Sequence, residues 1–384
     1  MYEHCPYYRK HSLACFDYNF QLMPNNNATA FLAIAGQSIW VDNITRSMLA
    51  TGRLAEYIRD WSVVGLTSNP TIFEKAIAGS NDYDTQIREL LAKGIDGEKL
   101  FFELAITDLT KAADLFKGVH DRTGGVDGWV SLEVSPLLAR DTKTTIDQAL
   151  TLHAKANRPN LFIKVPGTAE GLPAIEELIY RGVPVNVTLL FSPKQYSAAA
   201  DAYLKGLERR AKEGKSLRVE SVASVFISRW EKKANAKLPK ELQNKAGIAV
   251  GECCYQAYAS VYASERFLAL QDKGARPQRL LMASTSTKDK SLADTMYVTA
   301  LAGSRTVNTM PEETLHAFFD HGVMQGLLRT DGGNGPATFV AMEKAGCSVE
   351  ACGVELQQEG ADSFVKSWND MIAKIHDKSA AMAK

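Results

Sequence analysis

Nowhere in the 384 residues is there an apolar run of about 18, so no segment reads as a helix able to cross a bilayer. Neither sign of charge dominates, with 44 Lys and Arg against 44 Asp and Glu. A neutral chain has no global pull on polyanions. The densest basic clusters, Arg209-Arg210-Ala211-Lys212 and Lys232-Lys233, read as solvated helix faces, so no nucleic-acid partner is expected. Cysteine is too scattered for a disulfide framework: Cys5 and Cys15 lie near the start, Cys253 and Cys254 adjoin, and Cys347 and Cys352 are five apart. Residues 1–27 carry Tyr, His, Asn and charge where a secretory signal would need an unbroken apolar core. The expectation is a soluble, cytoplasmic protein, with residues 1–30 a flexible leader and residues 31–384 a single domain.

From Ala33 onward, short β-branched apolar runs alternate with longer segments of helical period. The runs are Ser38–Val41, Ser62–Leu66, Trp129–Val134, Leu161–Val165, Val183–Leu190, Val222–Phe226, Leu280–Ala283 and Thr306–Thr309. Between them, Ile44–Asp60, Ala169–Arg181, Pro193–Gly214 and Glu231–Lys273 place Ala, Leu, Glu and Lys at helical spacing. Strands separated by helices make an α/β fold with a parallel sheet, and eight is the number that closes a (β/α)8 TIM barrel. The rival doubly wound sheet wants a glycine fingerprint after its first strand, whereas Val41 is followed by Asp42-Asn43-Ile44-Thr45. The insert from Gly79 to Gly128 has its own helical pattern, so additional helices decorate the barrel; the tail from Ala337 reads as terminal helices.

A barrel gathers its chemistry where the strands end, because the following loops build the active face. Polar residues recur there. Asp42 ends the first run, Asn69 follows the second and Glu133 nearly ends the third. Lys164 closes on the end of the fourth, Asn186 and Thr188 lie in the fifth, Ser224 in the sixth, and Ser284 follows the seventh. Lys164 has apolar neighbours on both sides, and burial there strips solvation from the charged form and favours the free amine. A free amine attacks carbonyl groups to make a Schiff base. Taken alone, Lys164 reads rather as half of a buried ion pair with Glu133. Asp42, Glu133 and Thr188 add the carboxylates and hydroxyl that proton transfer through a carbinolamine needs.

For a phosphate, Ser284-Thr285-Ser286-Thr287-Lys288 offers hydroxyls, backbone amides and a cation, and Arg229 adds a forked contact. His316, Asp320 and His321 lie on one expected helix, Leu315–Gly322, which supplies two of three metal ligands at best; no metal and no cofactor is expected.

Several of these segments together resemble the transaldolase family in its longer bacterial type. They are Gly65-Leu66-Thr67-Ser68-Asn69-Pro70-Thr71-Ile72-Phe73-Glu74-Lys75, Val130-Ser131-Leu132-Glu133-Val134, Phe162-Ile163-Lys164-Val165-Pro166, Asn186-Val187-Thr188-Leu189-Leu190-Phe191-Ser192 and Thr306-Val307-Asn308-Thr309-Met310-Pro311. The likeness runs in order from about Ala35 to the C-terminus. It implies a dihydroxyacetone unit passed from sedoheptulose 7-phosphate to glyceraldehyde 3-phosphate, giving erythrose 4-phosphate and fructose 6-phosphate. It further implies Lys164 as the Schiff-base lysine, Asp42 as the acid/base, and Glu133 with Thr188 as holders of the catalytic water. Asn69, Asn186 and Ser224 then hold substrate hydroxyls, and Arg229 and Ser284 touch phosphate. Where shorter relatives carry a second phosphate arginine this chain has Ser286, and Lys288 is taken as its replacement.

Two rival readings remain. A fructose-6-phosphate aldolase has glutamine and tyrosine where this chain has Glu133 and Phe226, and a catalytically silent binding barrel would have lost the lysine or its carboxylates. Small-molecule sugar phosphates are the expected partners, and formation of a homo-oligomer is left open.

Overall fold

The computed structural model describes residues 28–382. The expected leader, with Cys5 and Cys15, lies outside the described residues apart from Ala28–Ala30, which open the helix Ala28–Ile34. Eight strands follow: β1 (Ser38–Asp42), β2 (Val63–Thr67), β3 (Val130–Glu133), β4 (Leu161–Pro166), β5 (Val185–Leu190), β6 (Ser221–Phe226), β7 (Arg279–Ala283) and β8 (Val307–Met310). Every expected run overlaps one of them. All neighbouring pairs are parallel and β8 returns to β1. The remaining seam, β2 to β3, is closed by a parallel bridge between Gly65 and Trp129. There Leu66 N donates to Trp129 O at 2.9 Å and Gly128 N to Val64 O at 2.7 Å. The result is the (β/α)8 barrel.

The strands are apolar because both faces are covered. In β4, β5 and β6 every residue is buried. Below the site, Phe162 stacks on Trp129 with ring centroids 4.1 Å apart, and Trp40 lies 6.1 Å from the same ring. Gly65 makes room for this plug, since a Cβ there would stand 2.6 Å from the Trp40 ring.

Helical segmentation departs from the periodicity at two places. The stretch Ile44–Asp60 is two helices, Arg46–Ala50 and Arg53–Asp60, because Gly52 between them has φ +78°. The stretch Glu231–Lys273 divides into Arg229–Ala234, Ala246–Tyr262 and Glu265–Gln271, the first break carrying Pro239 and Asn244 at φ +60°. In the insert, Asp84–Leu91 and Gly97–Arg122 are helices, as the pattern expects.

The 34-residue helix Val349–Met382 does more than decorate. It crosses the rim at the strand C-termini. Gln357 Nε2 donates to Gly167 O at 3.0 Å and to Leu189 O at 2.9 Å, and Thr71 Oγ1 meets Ser367 Oγ at 2.9 Å. Close approach is allowed by two glycines two turns apart on one face of the helix. A Cβ at Gly353 would lie 3.2 Å from Ser192 Cβ, and one at Gly360 would lie 3.0 Å from Leu189 Cδ2.

Candidate active site

At the C-terminal ends of the strands lies a cavity of about 920 Å3. Asp42, Asn69, Lys164, Ser224, Arg229, Ser284 and Lys288 all line it. The three remaining predicted site residues, Glu133, Asn186 and Thr188, sit buried behind that wall. Parallel register explains the gathering. Glu133 pairs with Lys164, Lys164 with Asn186 and Pro166 with Thr188, so side chains of β3, β4 and β5 arrive at one level.

Lys164 is 5% exposed, and its Nζ donates to Glu133 Oε2 at 3.1 Å and to Ser68 O at 3.2 Å. The expected ion pair is present, and the amine it holds also opens on the cavity. Burial raises the Glu133 carboxyl above its ordinary value, opposed by the charge and hydrogen bond of Lys164. Its other oxygen, Oε1, is buried without a hydrogen-bond partner, as is Thr188 Oγ1. Directly after Thr188 the β5–β6 register slips, with Leu189 at φ +61°. Such irregularities turn side chains near reactive centres, at a cost of about 1–3 kcal/mol for a bulky residue in this region.

Asp42 is raised by burial, and the Lys164 charge, the Thr67 hydrogen bond and the Lys288 charge work against the rise. Thr67 Oγ1 donates to Asp42 Oδ1 at 2.6 Å and lies 2.6 Å from Thr309 Oγ1. This fixes the carboxylate by a relay from β8 through β2 to β1. Ser224 Oγ donates to Asn186 Oδ1 at 2.7 Å, and Asn186 Nδ2 donates to Ser131 Oγ at 3.1 Å. Asn69 caps the helix Pro70–Gly79, accepting from Ile72 N at 3.1 Å, which leaves its amide NH2 for a ligand.

On the far side of the cavity, Ser284 has φ +56° and its Oγ is 2.9 Å from Ser228 Oγ. Lys288 Nζ donates to Ser286 Oγ at 2.7 Å. Arg229 opens the helix Arg229–Ala234, and burial pushes its guanidinium below the ordinary value. His316 and His321 are employed apart: His316 Nε2 is 2.6 Å from Tyr57 Oη, and His321 Nε2 is 2.9 Å from Asp294 Oδ1. Among the described residues no group of three or more His, Cys, Asp or Glu is placed to hold a metal. Cys253, Cys254, Cys347 and Cys352 are buried free thiols.

No expected role falls on Thr67, Ser131, Thr309 or Phe364 from the sequence, although the first three stand within the segments quoted for the resemblance. Thr67 and Thr309 could have been found from their shared level with Asp42 at the strand ends. Phe364 gives no such signal, as it lies within ordinary core periodicity of the last helix.

A match to the Transaldolase/Fructose-6-phosphate aldolase family spans residues 39–375. The chain is 46% identical over 354 residues to a transaldolase of Acidothermus cellulolyticus, covering 90% of this chain and 95% of that one. It is 44% identical over 363 residues to a transaldolase of Saccharopolyspora erythraea, covering 93% and 99%. With a transaldolase of Thermobifida fusca it shares 44% identity over 359 residues, covering 91% and 98%. No helix among the described residues is long and apolar enough to cross a membrane.

Proposed function

The chain belongs to the transaldolase/fructose-6-phosphate aldolase family and acts as a transaldolase, and from that premise we propose a Schiff-base mechanism centred on Lys164. Its substrates are sedoheptulose 7-phosphate and glyceraldehyde 3-phosphate, its products erythrose 4-phosphate and fructose 6-phosphate. The observation that carries the reading is the Lys164 amine, buried at the cavity floor 3.1 Å from a carboxylate.

Lys164 Nζ attacks the ketose carbonyl carbon, and the carbinolamine loses its hydroxyl as water to give the imine. The unpartnered oxygens of Glu133 and Thr188 hold that water, and later the water that hydrolyses the imine. Asp42 takes the proton of the hydroxyl two carbons from the imine carbon. The bond between that hydroxyl-bearing carbon and the carbon next to the imine carbon breaks, its electron pair passes into the iminium as an enamine, and the aldose phosphate departs. Glyceraldehyde 3-phosphate enters, the enamine carbon attacks its aldehyde, and Asp42 returns the proton. Asn69, Asn186 and Ser224 hold the hydroxyls of the dihydroxyacetone unit, and Arg229, Ser284 and Lys288 bind the phosphate. Residues 31–384 act as one catalytic domain. The setting is the cytoplasm, with free sugar phosphates as partners and neither nucleic acid nor membrane involved.

The decisive assay incubates sedoheptulose 7-phosphate with glyceraldehyde 3-phosphate and follows fructose 6-phosphate. If none appears, the proposed reaction is wrong. Transfer wins over simple cleavage because the enamine waits for an acceptor instead of being protonated. Glu133→Gln combined with Phe226→Tyr is therefore expected to raise release of free dihydroxyacetone relative to transfer. An unchanged ratio would remove both residues from that role.

Lys288 takes the place of a phosphate arginine as a flexible point charge. Lys288→Ala should raise KM for phosphorylated acceptors about fivefold to twentyfold with a smaller change in kcat, as loss of uniform binding predicts. A constant KM would take Lys288 out of the phosphate site.

A further inference from the structure

The half-buried arginines of this protein are, as a rule, tied to carboxylates. Arg46 meets Asp108 at 3.0 Å, Arg276 meets Glu220 at 3.0 Å and Arg279 meets Asp127 at 2.9 Å. Arg229 is different: no carboxylate of the described residues lies within 4.0 Å and none of them accepts a hydrogen bond from its guanidinium. Glu359, the one acid whose charge it feels, is instead paired with Lys233 at 2.6 Å. What Arg229 has is two rings. Its Cζ lies 5.4 Å from the Phe226 centroid and 5.9 Å from the Phe364 centroid. The rings are 6.3 Å apart at 62°.

An aromatic face attracts a guanidinium without consuming its N–H donors. A carboxylate would take those donors and compete with an incoming anion. A cation held in this way stays charged and placed, with its in-plane fork free for a phosphate. Phe364 also reaches the reacting end of the cavity, its centroid 5.7 Å from Lys164 Nζ. The ring thus stands beside both the nucleophile and the anion end, and is itself only 5% exposed. Its position depends on the terminal helix docking over the rim. One turn earlier Gly360 lies so near that a Cβ would be 3.4 Å from Arg229 Nη1.

We propose that Phe364 is a specificity-determining residue for phosphate-bearing substrates, holding Arg229 ready for the phosphate through its ring face. The proposal deepens the transaldolase reading and rests on it for the identity of the acceptor.

The test is Phe364→Leu, which keeps an apolar side chain and removes the ring. KM for glyceraldehyde 3-phosphate, and the inhibition constant of inorganic phosphate, should each rise about tenfold with little change in kcat. Preference for glyceraldehyde 3-phosphate over unphosphorylated glyceraldehyde, read as the ratio of their kcat/KM values, should fall about tenfold. Phe364→Tyr, which keeps a ring, should restore phosphate selectivity. If both acceptors suffer equally, or neither constant moves, the assignment is overturned. Should Phe364→Leu lose its circular-dichroism signal, Phe364→Met carries the same expectations. Borohydride trapping of wild-type Lys164 with dihydroxyacetone separates the two failures. A trapped lysine with unmoved phosphate constants sinks only the role of Phe364, while an untrapped lysine sinks the Schiff base.

Discussion

Lys164→Met is expected to lower transfer by at least about a thousandfold, because the amine that forms the imine is gone. Borohydride in the presence of dihydroxyacetone or fructose 6-phosphate should label wild-type protein at Lys164 and leave the variant unlabelled. Transfer persisting at about a tenth of wild type would exclude the covalent mechanism. The fold should survive for a physical reason. Breaking a buried ion pair costs about 3–5 kcal/mol when the partner stays charged, but Glu133 can take up a proton instead. Burial already raises its carboxyl, and losing the lysine removes the opposing charge. The folded variant then keeps a proton that the unfolded chain gives up. Its stability should be fullest below the ordinary glutamate value and decline as pH rises toward the raised folded value. Thermal melts of the variant across that range check the sign.

Asp42→Asn should lower kcat by about a hundredfold to ten-thousandfold, the usual worth of a placed acid/base group. The imine forms before Asp42 acts, so trapping of dihydroxyacetone on Lys164 should persist in this variant. If trapping were lost together with turnover, Asp42 would belong to imine formation and not to C–C cleavage. The wild-type rate should also show an acid limb, since Asp42 must be ionised to accept the hydroxyl proton. Burial places that limb above the ordinary aspartate range. Lys288 lowers the same carboxyl by its charge, so Lys288→Ala should move the limb to higher pH. A pH profile of kcat/KM reads this in the free enzyme, because the limb changes position whatever happens to its height.

Much of this could be seen in the chain before folding. A barrel strand is covered on both faces, so a polar side chain within such a run stands out. Asp42, Glu133, Lys164, Asn186 and Ser224 each interrupted an apolar run, and the parallel register brings all of them to one end. The helices were less legible. Periodicity continued through Gly52 and through the segment around Pro239, where backbone geometry ends the helices. A hydrophobic pattern records which face is buried, not where the chain changes direction.

Phe364 marks the other limit. Along the sequence it is one apolar residue in a 34-residue helix, and its neighbours at helical spacing, Gly360 and Trp368, are buried as well. Nothing local distinguishes the ring that meets Lys164 from those that fill the core. Residue type and strand position are both written along the chain, so the sequence alone determined the barrel and the polar and charged side chains gathered at its rim. Which ring stands near Lys164 and Arg229 depends on contacts between segments about 135 to 200 positions apart. Only the docking of the last helix across the rim decided that.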